Sequence, residues 1–319
     1  MLEQISHYAF TNLAARLHWS VLVSVGLLSL MSWRYVRRNS PRWQEKGFFH
    51  FLFARDVWLH RSAKLDYRFV LFDKVMLAAL VTLVGAMLVP GADRAIDALG
   101  DEIVADALEA DFEVLVGYTI ALLLFDDFCR YWTHRWMHTS ELLWQFHKVH
   151  HSPEVLVPVS QMRHHPVNGL INLARNLFTT TLVTGLFVLM FPGDLTVVTV
   201  AGVNAGRMVF YVTGGNLRHS HVWLSFGPVL ERILVSPAQH QIHHSKAPEH
   251  IDRNFGSQFA LWDWMFGTLY VPRGYEELEL GIDADSTERM RTVRSIYVEP
   301  VKDAVKVWQR RRNGADQPG

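Results

Sequence analysis

Three histidine clusters carry the chemistry of this chain: His134-Arg-Trp-Met-His138, His147-Lys-Val-His150-His151 and His240-Gln-Ile-His243-His244. An i, i+4 pair or an i, i+3, i+4 triple turns its imidazoles to one face of a helix. Neutral imidazole is the commonest metal ligand in proteins. Eight such rings in three motifs exceed what one ion coordinates, so the spacing asks for two metal ions side by side.

Imidazole suits iron, copper, zinc and nickel, so the ligand type does not name the metal. A zinc-dependent membrane hydrolase is one alternative, but it needs an activating base beside an open site, and no glutamate lies inside any motif. A non-catalytic metal-binding membrane protein is the other. Adjacent His-His pairs do not suit a bis-histidine haem, and a metal transporter would place its ligands at mid-membrane.

These side chains must be positioned by helices. Asp127, Tyr131, His134 and His138 are spaced 4, 3 and 4 apart and form one stripe. Asp127 or Asp126 is expected to hold a ligand histidine by its second ring nitrogen. Ser236-Pro237-Ala238-Gln239 reads as a helix start, with a capping serine, proline at the first position and glutamine at the third. Pro166 keeps His165 out of helical geometry, which would point His165 back toward the cluster. His219 and His221 follow in Asn216-Leu-Arg218-His219-Ser-His221.

Five apolar runs surround the motifs: Leu17–Trp33, Val75–Val89, Phe112–Phe125, Val167–Phe191 and Leu195–Val212. A spanning helix needs about 20 residues. Half of the 319 residues are hydrophobic, and the formal net charge is zero, which gives no electrostatic case for a nucleic-acid partner. Cys129 is the one cysteine, so intramolecular disulfides are excluded and thiolate metal chemistry is not expected. The N-terminus has no basic region before its first apolar run, and Glu3 is its first charge, so a retained anchor is expected rather than a cleaved signal. Residues 34–74 hold ten Lys or Arg, whereas residues 91–111 hold Arg94 against seven acids. The positive-inside rule then puts the first loop in the cytoplasm and the second outside. With a hairpin turning at Phe191-Pro192-Gly193-Asp194, every histidine motif falls on the cytoplasmic side. The end from Arg310-Arg311-Arg312 reads as frayed. Arg175 and Arg207 lie inside apolar runs, and Asn168, Asn172 and Asn176 recur every four residues. Intramembrane polar groups face an interior path. Asn172, Asn176 and Arg207 are therefore candidates for a substrate pocket, with snorkelling and helix contact as the plainer account.

The set HxxxH, HxxHH, HxxHH between apolar helices resembles the fatty acid hydroxylase superfamily, which includes the sterol desaturases. The resemblance runs from about Phe125 to Val271. It rests on Asp127-Phe-Cys-Arg-Tyr131-Trp132-Thr-His134-Arg-Trp-Met-His138, on Arg163-His-His165-Pro166 and on Ser236-Pro-Ala-Gln-His240-Gln-Ile-His243-His244-Ser245. Asp252-Arg-Asn254-Phe255-Gly256 and Trp262-Asp263-Trp-Met-Phe266-Gly267-Thr268 complete it. The resemblance implies an all-α polytopic membrane bundle of four to five spans with a cytoplasmic helical cap. Residues 1–110, which carry less of the likeness, are expected to form a membrane anchor region, 111–275 the catalytic domain and 276–319 a cytoplasmic tail. It implies a di-iron centre that uses O2 and an external electron donor to hydroxylate or desaturate a membrane lipid or sterol-like substrate. Asp127, Tyr131, Asn216 and Asp263 would surround the ligands. Sterol desaturases often carry a histidine where this chain has Gly214. His219 and His221 would replace it and, with His165, bring the ligand set to eleven.

The charge asymmetry gives a first prediction. Reporter fusions at Arg61 and Gly314 should report the cytoplasm, and a fusion at Gly100 the opposite side. Equal readings at Gly100 and Gly314 would overturn the five-span topology.

Overall fold

The computed structural model describes residues 17–80, 82, 112–191 and 209–314. Among these the chain is all helical and has no strands, only the isolated bridges Leu234–Phe259 and Ser245–Leu280. Helix α1 is Trp19–Asn39, and residues 61–80 form α2. Then come α3 (Phe112–Thr139), α4 (Glu141–His151) and α5 (Pro166–Met190). The short α6 (Pro237–His243) and α7 (Leu261–Met265) precede α8 (Val293–Arg312).

Two of these, α1 and α5, are long and apolar enough to cross a membrane. Only 22% and 17% of their most apolar windows are buried, so most of that surface faces outward. The apolar run Phe112–Phe125 continues without a break into the histidine stripe. The 28 residues of α3 reach about 42 Å, longer than the roughly 30 Å hydrocarbon core, so one helix can carry both. The runs Val75–Val89 and Leu195–Val212, the 91–111 loop and the Phe191–Asp194 turn lie wholly or mostly outside the described residues.

Three devices place the site. Ser140 caps α4, its hydroxyl accepting from Leu143 N at 3.4 Å, and this folds α4 back against the end of α3. Along the other side of α3 runs α5, joined by Tyr118 to Thr184 at 2.9 Å and by Asp126 to Arg175 and Thr179. The capping box at Ser236 forms as expected, with Gln239 N donating to Ser236 Oγ at 3.1 Å and Ser236 N to Gln239 Oε1 at 3.0 Å.

The frayed end expected from Arg310 onward is corrected through Arg312, while residues 315–319 lie outside the described residues. Helix α8 continues through Arg312 and packs along α4, where Lys148 Nζ meets Asp303 at 2.8 Å and Arg310 pairs with Glu141. The apolar contacts of Ile296, Ala304 and Val307 order the segment, and the terminal arginines sit where they complement the negative helix end.

A buried ion pair ties α2 to the entrance of α5. Asp66 accepts from the guanidinium of Arg163 and from Ser160 Oγ at 2.6 Å. Arg163 also donates to Ser152 Oγ and to the Ser62 carbonyl, each at 3.0 Å. Removing one partner leaves a charge buried alone. Arg163→Met should therefore cost about 3–5 kcal/mol, read as a lowered Tm in detergent, with Arg61→Met on the surface as the near-silent control.

Candidate metal centre

Nine histidines divide into two groups, in each of which one ring nitrogen per residue lies within 4.8 Å of the others. One group is His134, His138, His147, His151 and His243; the other is His150, His219, His240 and His244. Helical phase explains the division. At about 100° per residue, positions i and i+4 lie about 40° apart around a helix, while i+3 falls about 60° to the other side. Hence His134 and His138 stay together on α3, and His147 and His151 stay together on α4. His150 turns to the second group. On α6 the pattern repeats in reverse, with His240 and His244 in the second group and His243 in the first. The groups are adjacent, for His151 stacks on His244 at 4.5 Å between ring centroids.

Within each group the Nε2 atoms converge. His147 Nε2 lies 3.2 Å from His134 Nε2 and 3.3 Å from His151 Nε2. In the second group His219 Nε2 lies 3.3 Å from His150 Nε2 and 3.2 Å from His240 Nε2, which is 3.3 Å from His244 Nε2. Nitrogens bound at about 2.1 Å sit about 3.0 Å apart in an octahedron and about 3.4 Å apart in a tetrahedron. The observed separations fit either. His138 Nε2 and His243 Nε2 are buried with no hydrogen-bond partner, as donors awaiting a cation would be. The residues present therefore fit a pair of metal ions.

In the first group the opposite nitrogens of three rings are held. His134 Nδ1–H donates to the Phe255 carbonyl and His243 Nδ1–H to the Arg253 carbonyl, each at 2.8 Å. A carbonyl can only accept, so both rings are protonated at Nδ1 and keep the Nε2 lone pair free. His147 Nδ1 meets Asn168 Oδ1 at 3.2 Å. Burial, reinforced by His243 and His164, pushes the His147 imidazole down to about 3, so it is neutral at physiological pH.

The two carbonyls belong to a loop with left-handed residues at Asp252 and Asn254, both at φ 57°. Buried side chains hold that loop. Asp263 accepts from Phe255 N at 2.8 Å, Gly256 N at 2.7 Å and Thr268 Oγ1 at 2.6 Å. Burial lifts its carboxyl to about 6. Asn254 accepts from Tyr270 N at 2.8 Å and donates to the Gln239 carbonyl at 3.2 Å. Gly256 leaves no room for a side chain, since a Cβ would lie 2.5 Å from the Phe259 carbonyl oxygen.

Several expectations are corrected by this geometry. Asp127 touches no histidine; it accepts from Gln258 N at 2.9 Å, Phe259 N at 3.0 Å and Trp262 Nε1 at 3.1 Å. Asp126 pairs with Arg130 and Arg175 instead. Tyr131 bonds Thr268 Oγ1 at 3.0 Å and accepts from Arg135 at 2.9 Å, so it braces the same loop. His165 does adopt the extended conformation that Pro166 demands, but its ring caps α5 and donates to the Tyr297 carbonyl at 3.1 Å. Extended geometry sends neighbouring side chains to opposite sides, and it is His164 that faces the centre. That ring, missed in the sequence, stacks on His150 at 4.3 Å and accepts from Asn168 Nδ2 at 2.9 Å. Residues 218–221 form turns rather than a strand, which separates the two histidines there. His219 joins the second group, and His221 turns away to Trp43 and the Phe51 carbonyl, 2.7 Å distant. Asn216 is half-buried in the turn Gly215–Leu217. Asn172 is half-buried on α5, Asn176 accepts from Arg175 at 2.7 Å, and Arg207 lies outside the described residues.

A cavity of about 550 Å³ opens on the centre. His138, His151, His243 and His244 stand in its wall beside Trp144 and Ile282. The ligand nitrogens can be approached from this side.

Four substitutions test the loop and the turn. Asp263→Ala should weaken metal retention about 10–100-fold without removing a ligand, measured by competition with a chelator. His219→Ala should lose metal, whereas His165→Ala and His221→Ala should keep it. Full metal in His219→Ala would show that the second group is not a binding site.

The fatty acid hydroxylase family matches residues 119–268, the stretch that holds both histidine groups and their loop. Among curated relatives, the ornithine lipid hydroxylase of Rhizobium tropici is 29% identical over 172 residues, 54% of this chain and 46% of that protein. A Delta(7)-sterol 5(6)-desaturase of Gibberella zeae is 31% identical over 150 residues, 47% of this chain and 37% of the relative. The alkylglycerol monooxygenase of Xenopus tropicalis is 28% identical over 182 residues, 57% and 35% of the two chains. The chain thus spans less than half the length of these relatives. No solved structure matches. With the histidine spacing, the loop that orients it and the family match all falling on one segment, residues 119–268 of this chain are a fatty acid hydroxylase domain.

Proposed function

We propose that the chain is an O2-dependent oxidoreductase with two iron ions, which hydroxylates or desaturates a C–H bond of a membrane lipid or sterol-like substrate. The observation that carries this reading is the division of nine imidazoles into two adjacent groups, each with one ring nitrogen per residue brought within 4.8 Å of the others. A hydrolytic metal site would want a carboxylate base at the metals; among the described residues no carboxylate belongs to either group, and Asp252 in the cavity wall meets His138 at Nδ1, at 3.6 Å, rather than at Nε2. Relatives that hydroxylate ornithine lipid, desaturate a sterol or oxygenate an alkylglycerol support the lipid class.

His134, His138, His147, His151 and His243 would hold one ion, and His150, His219, His240 and His244 the other. Bound iron supplies redox chemistry with O2 that no side chain here can perform. The protein's own contribution is positional. Phe255 and Arg253 carbonyls fix the tautomers of two ligand rings, Asn168 orients a third, and Asp263 keeps the carbonyl loop in place. Trp144 and Ile282 keep part of the cavity wall apolar, which limits water at the centre. An external donor supplies the electrons.

The membrane arrangement belongs to the same proposal. Apolar, outward-facing α1 and α5 support a multi-pass protein of four to five spans. Ten basic residues in 34–74 support a cytoplasmic cap carrying the histidines, with residues 1–110 as anchor region, 111–275 as catalytic domain and 276–319 as a cytoplasmic segment.

Metal analysis and isotope labelling test the reading. The purified chain should bind two ions, His134→Ala and His240→Ala should each bind fewer, and iron loading should restore 18O2-dependent oxidation of a lipid extract. One tightly bound zinc with no iron-dependent oxidation would overturn it.

A further inference from the structure

Helix α8 has two apolar faces, and one of them is packed against α4. Ile296, Pro300, Ala304 and Val307 are buried on that face. Each helical residue turns by about 100°, so Val301, Val305 and Trp308 form a second stripe about a third of a turn away. They are 45%, 46% and 53% exposed, and among the described residues nothing covers them. The helix is also basic. It holds Arg294, Lys302, Lys306, Arg310, Arg311 and Arg312 against Glu299 and Asp303. By the same phase Arg294 and Arg312 fall on the line of the stripe, one at each end, and exposed Lys302 and Lys306 follow on the flank farther from the buried face. Arg312 lies 5.3 Å over the Trp308 ring. Arg310 and Arg311 share a single carboxylate, Glu141, so this end of the helix keeps excess positive charge.

The start of α8 is fixed where two other helices become apolar. The Tyr297 carbonyl accepts from His165, the residue that caps α5, at 3.1 Å. The Tyr297 ring lies 5.4 Å from Phe69 and 5.9 Å from Phe72 on α2, and its hydroxyl donates to Asp73 at 3.5 Å. Just past Asp73, Val75 and Met76 are exposed on α2, and past His165, Leu170 and Leu173 are exposed on α5. Those surfaces belong to helices proposed above to enter the bilayer, so α8 starts beside the edge of the bilayer.

We propose that α8 lies on the bilayer surface, with Val301, Val305 and Trp308 sunk to the boundary of the acyl chains and its basic residues bound to anionic phospholipid head groups. This rests on the membrane arrangement proposed above and not on the metal chemistry. An apolar stripe that carries a tryptophan and is bordered by Lys and Arg suits a helix in the interfacial plane. Lysine and arginine stems cover apolar surface while their charged ends reach the phosphates. The positive charge is spread along the whole stripe, which matches an extended anionic surface better than one bound anion. The packed face of α8 holds α4 through Asp303 and Lys148, the neighbour of His147, at 2.8 Å. A seated α8 therefore steadies the helix that supplies histidines to both groups.

Nitroxide labels on single cysteines test this in the full chain in nanodiscs, with Cys129→Ala as the background. Depth is read from collision with O2, which concentrates among acyl chains, against a nickel chelate that stays in water. With phosphatidylglycerol in the bilayer, labels at Val301→Cys and Val305→Cys should favour O2, and a label at Lys306→Cys should favour the chelate. In phosphatidylcholine alone the Val305→Cys label should move toward water. Arg310→Gln, Arg311→Gln and Arg312→Gln together should weaken seating about fivefold per charge removed, with metal content unchanged. The comparison of lipids needs no charge variant, so it decides the matter even if the triple variant fails to fold. Val301→Cys and Val305→Cys labels as open to the chelate as the Lys306→Cys label would overturn the proposal, and so would equal protection in the two lipids. Protection that appears only with two chains per nanodisc would show a second copy on the stripe and overturn it as well. A label at Leu177→Cys, on the exposed side of α5, separates the two levels. Protected Leu177→Cys beside open Val305→Cys counts against the seating of α8 alone, whereas open Leu177→Cys overturns the membrane arrangement and this proposal with it.

Discussion

Imidazole lone pairs that face one another at 3.2–3.3 Å are the demanding feature of this fold. Neutral rings in that arrangement gain nothing from each other unless a proton or a cation lies between them, and charged rings would repel. Burial settles the first part of the problem by keeping the rings neutral. Fixed tautomers settle the second, because a ring whose Nδ1–H is committed to a carbonyl has only Nε2 to offer. Much of the surrounding structure serves to keep those two conditions in force.

The carbonyl loop is the main device. Two left-handed residues, Asp252 and Asn254, aim the Arg253 and Phe255 carbonyls at separate histidines. Such backbone is strained and persists only when its surroundings over-determine it. Asp263 accepts from three donors at one end of the loop, and Asp127 accepts from three at the continuation, Gln258 to Trp262. The two buried carboxylates therefore act on the metal groups at a distance of one backbone segment. A carboxylate bonded straight to a ligand ring would do similar electronic work with less control over two rings at once.

The rest of the scaffold supplies two further helices. Ser140 turns α4 back on α3, and the capping box at Ser236 starts α6 so that its histidines fall within the first two turns. The Asp66–Arg163 pair then fixes the segment that delivers His164 and Asn168 to the other side of the rings. His164 stacks on one ligand ring while Asn168 bridges it to another, so the α5 entrance joins the two groups mechanically.

The amino-acid order alone determined the chemistry. Eight histidines at i, i+3 and i+4 suit helices and metal ligation in any fold, because the spacing is a property of one helix. The Ser236 cap was legible for the same reason, being local. What only the tertiary structure decided was direction. Whether an i+3 histidine joins the group of its neighbours or the next one depends on what packs against each side of the helix. Local rules placed His165 in extended geometry correctly, yet the ring beside it faces the centre, since alternation fixes that neighbours diverge and not which of them points inward. Likewise Asp127 sits on the stripe with His134 and His138, but a helix continues past the level of the rings, and at Asp127 the facing segment is the 258–262 backbone instead of an imidazole. Contacts between residues more than a hundred positions apart settle such questions, and no spacing within one motif contains them.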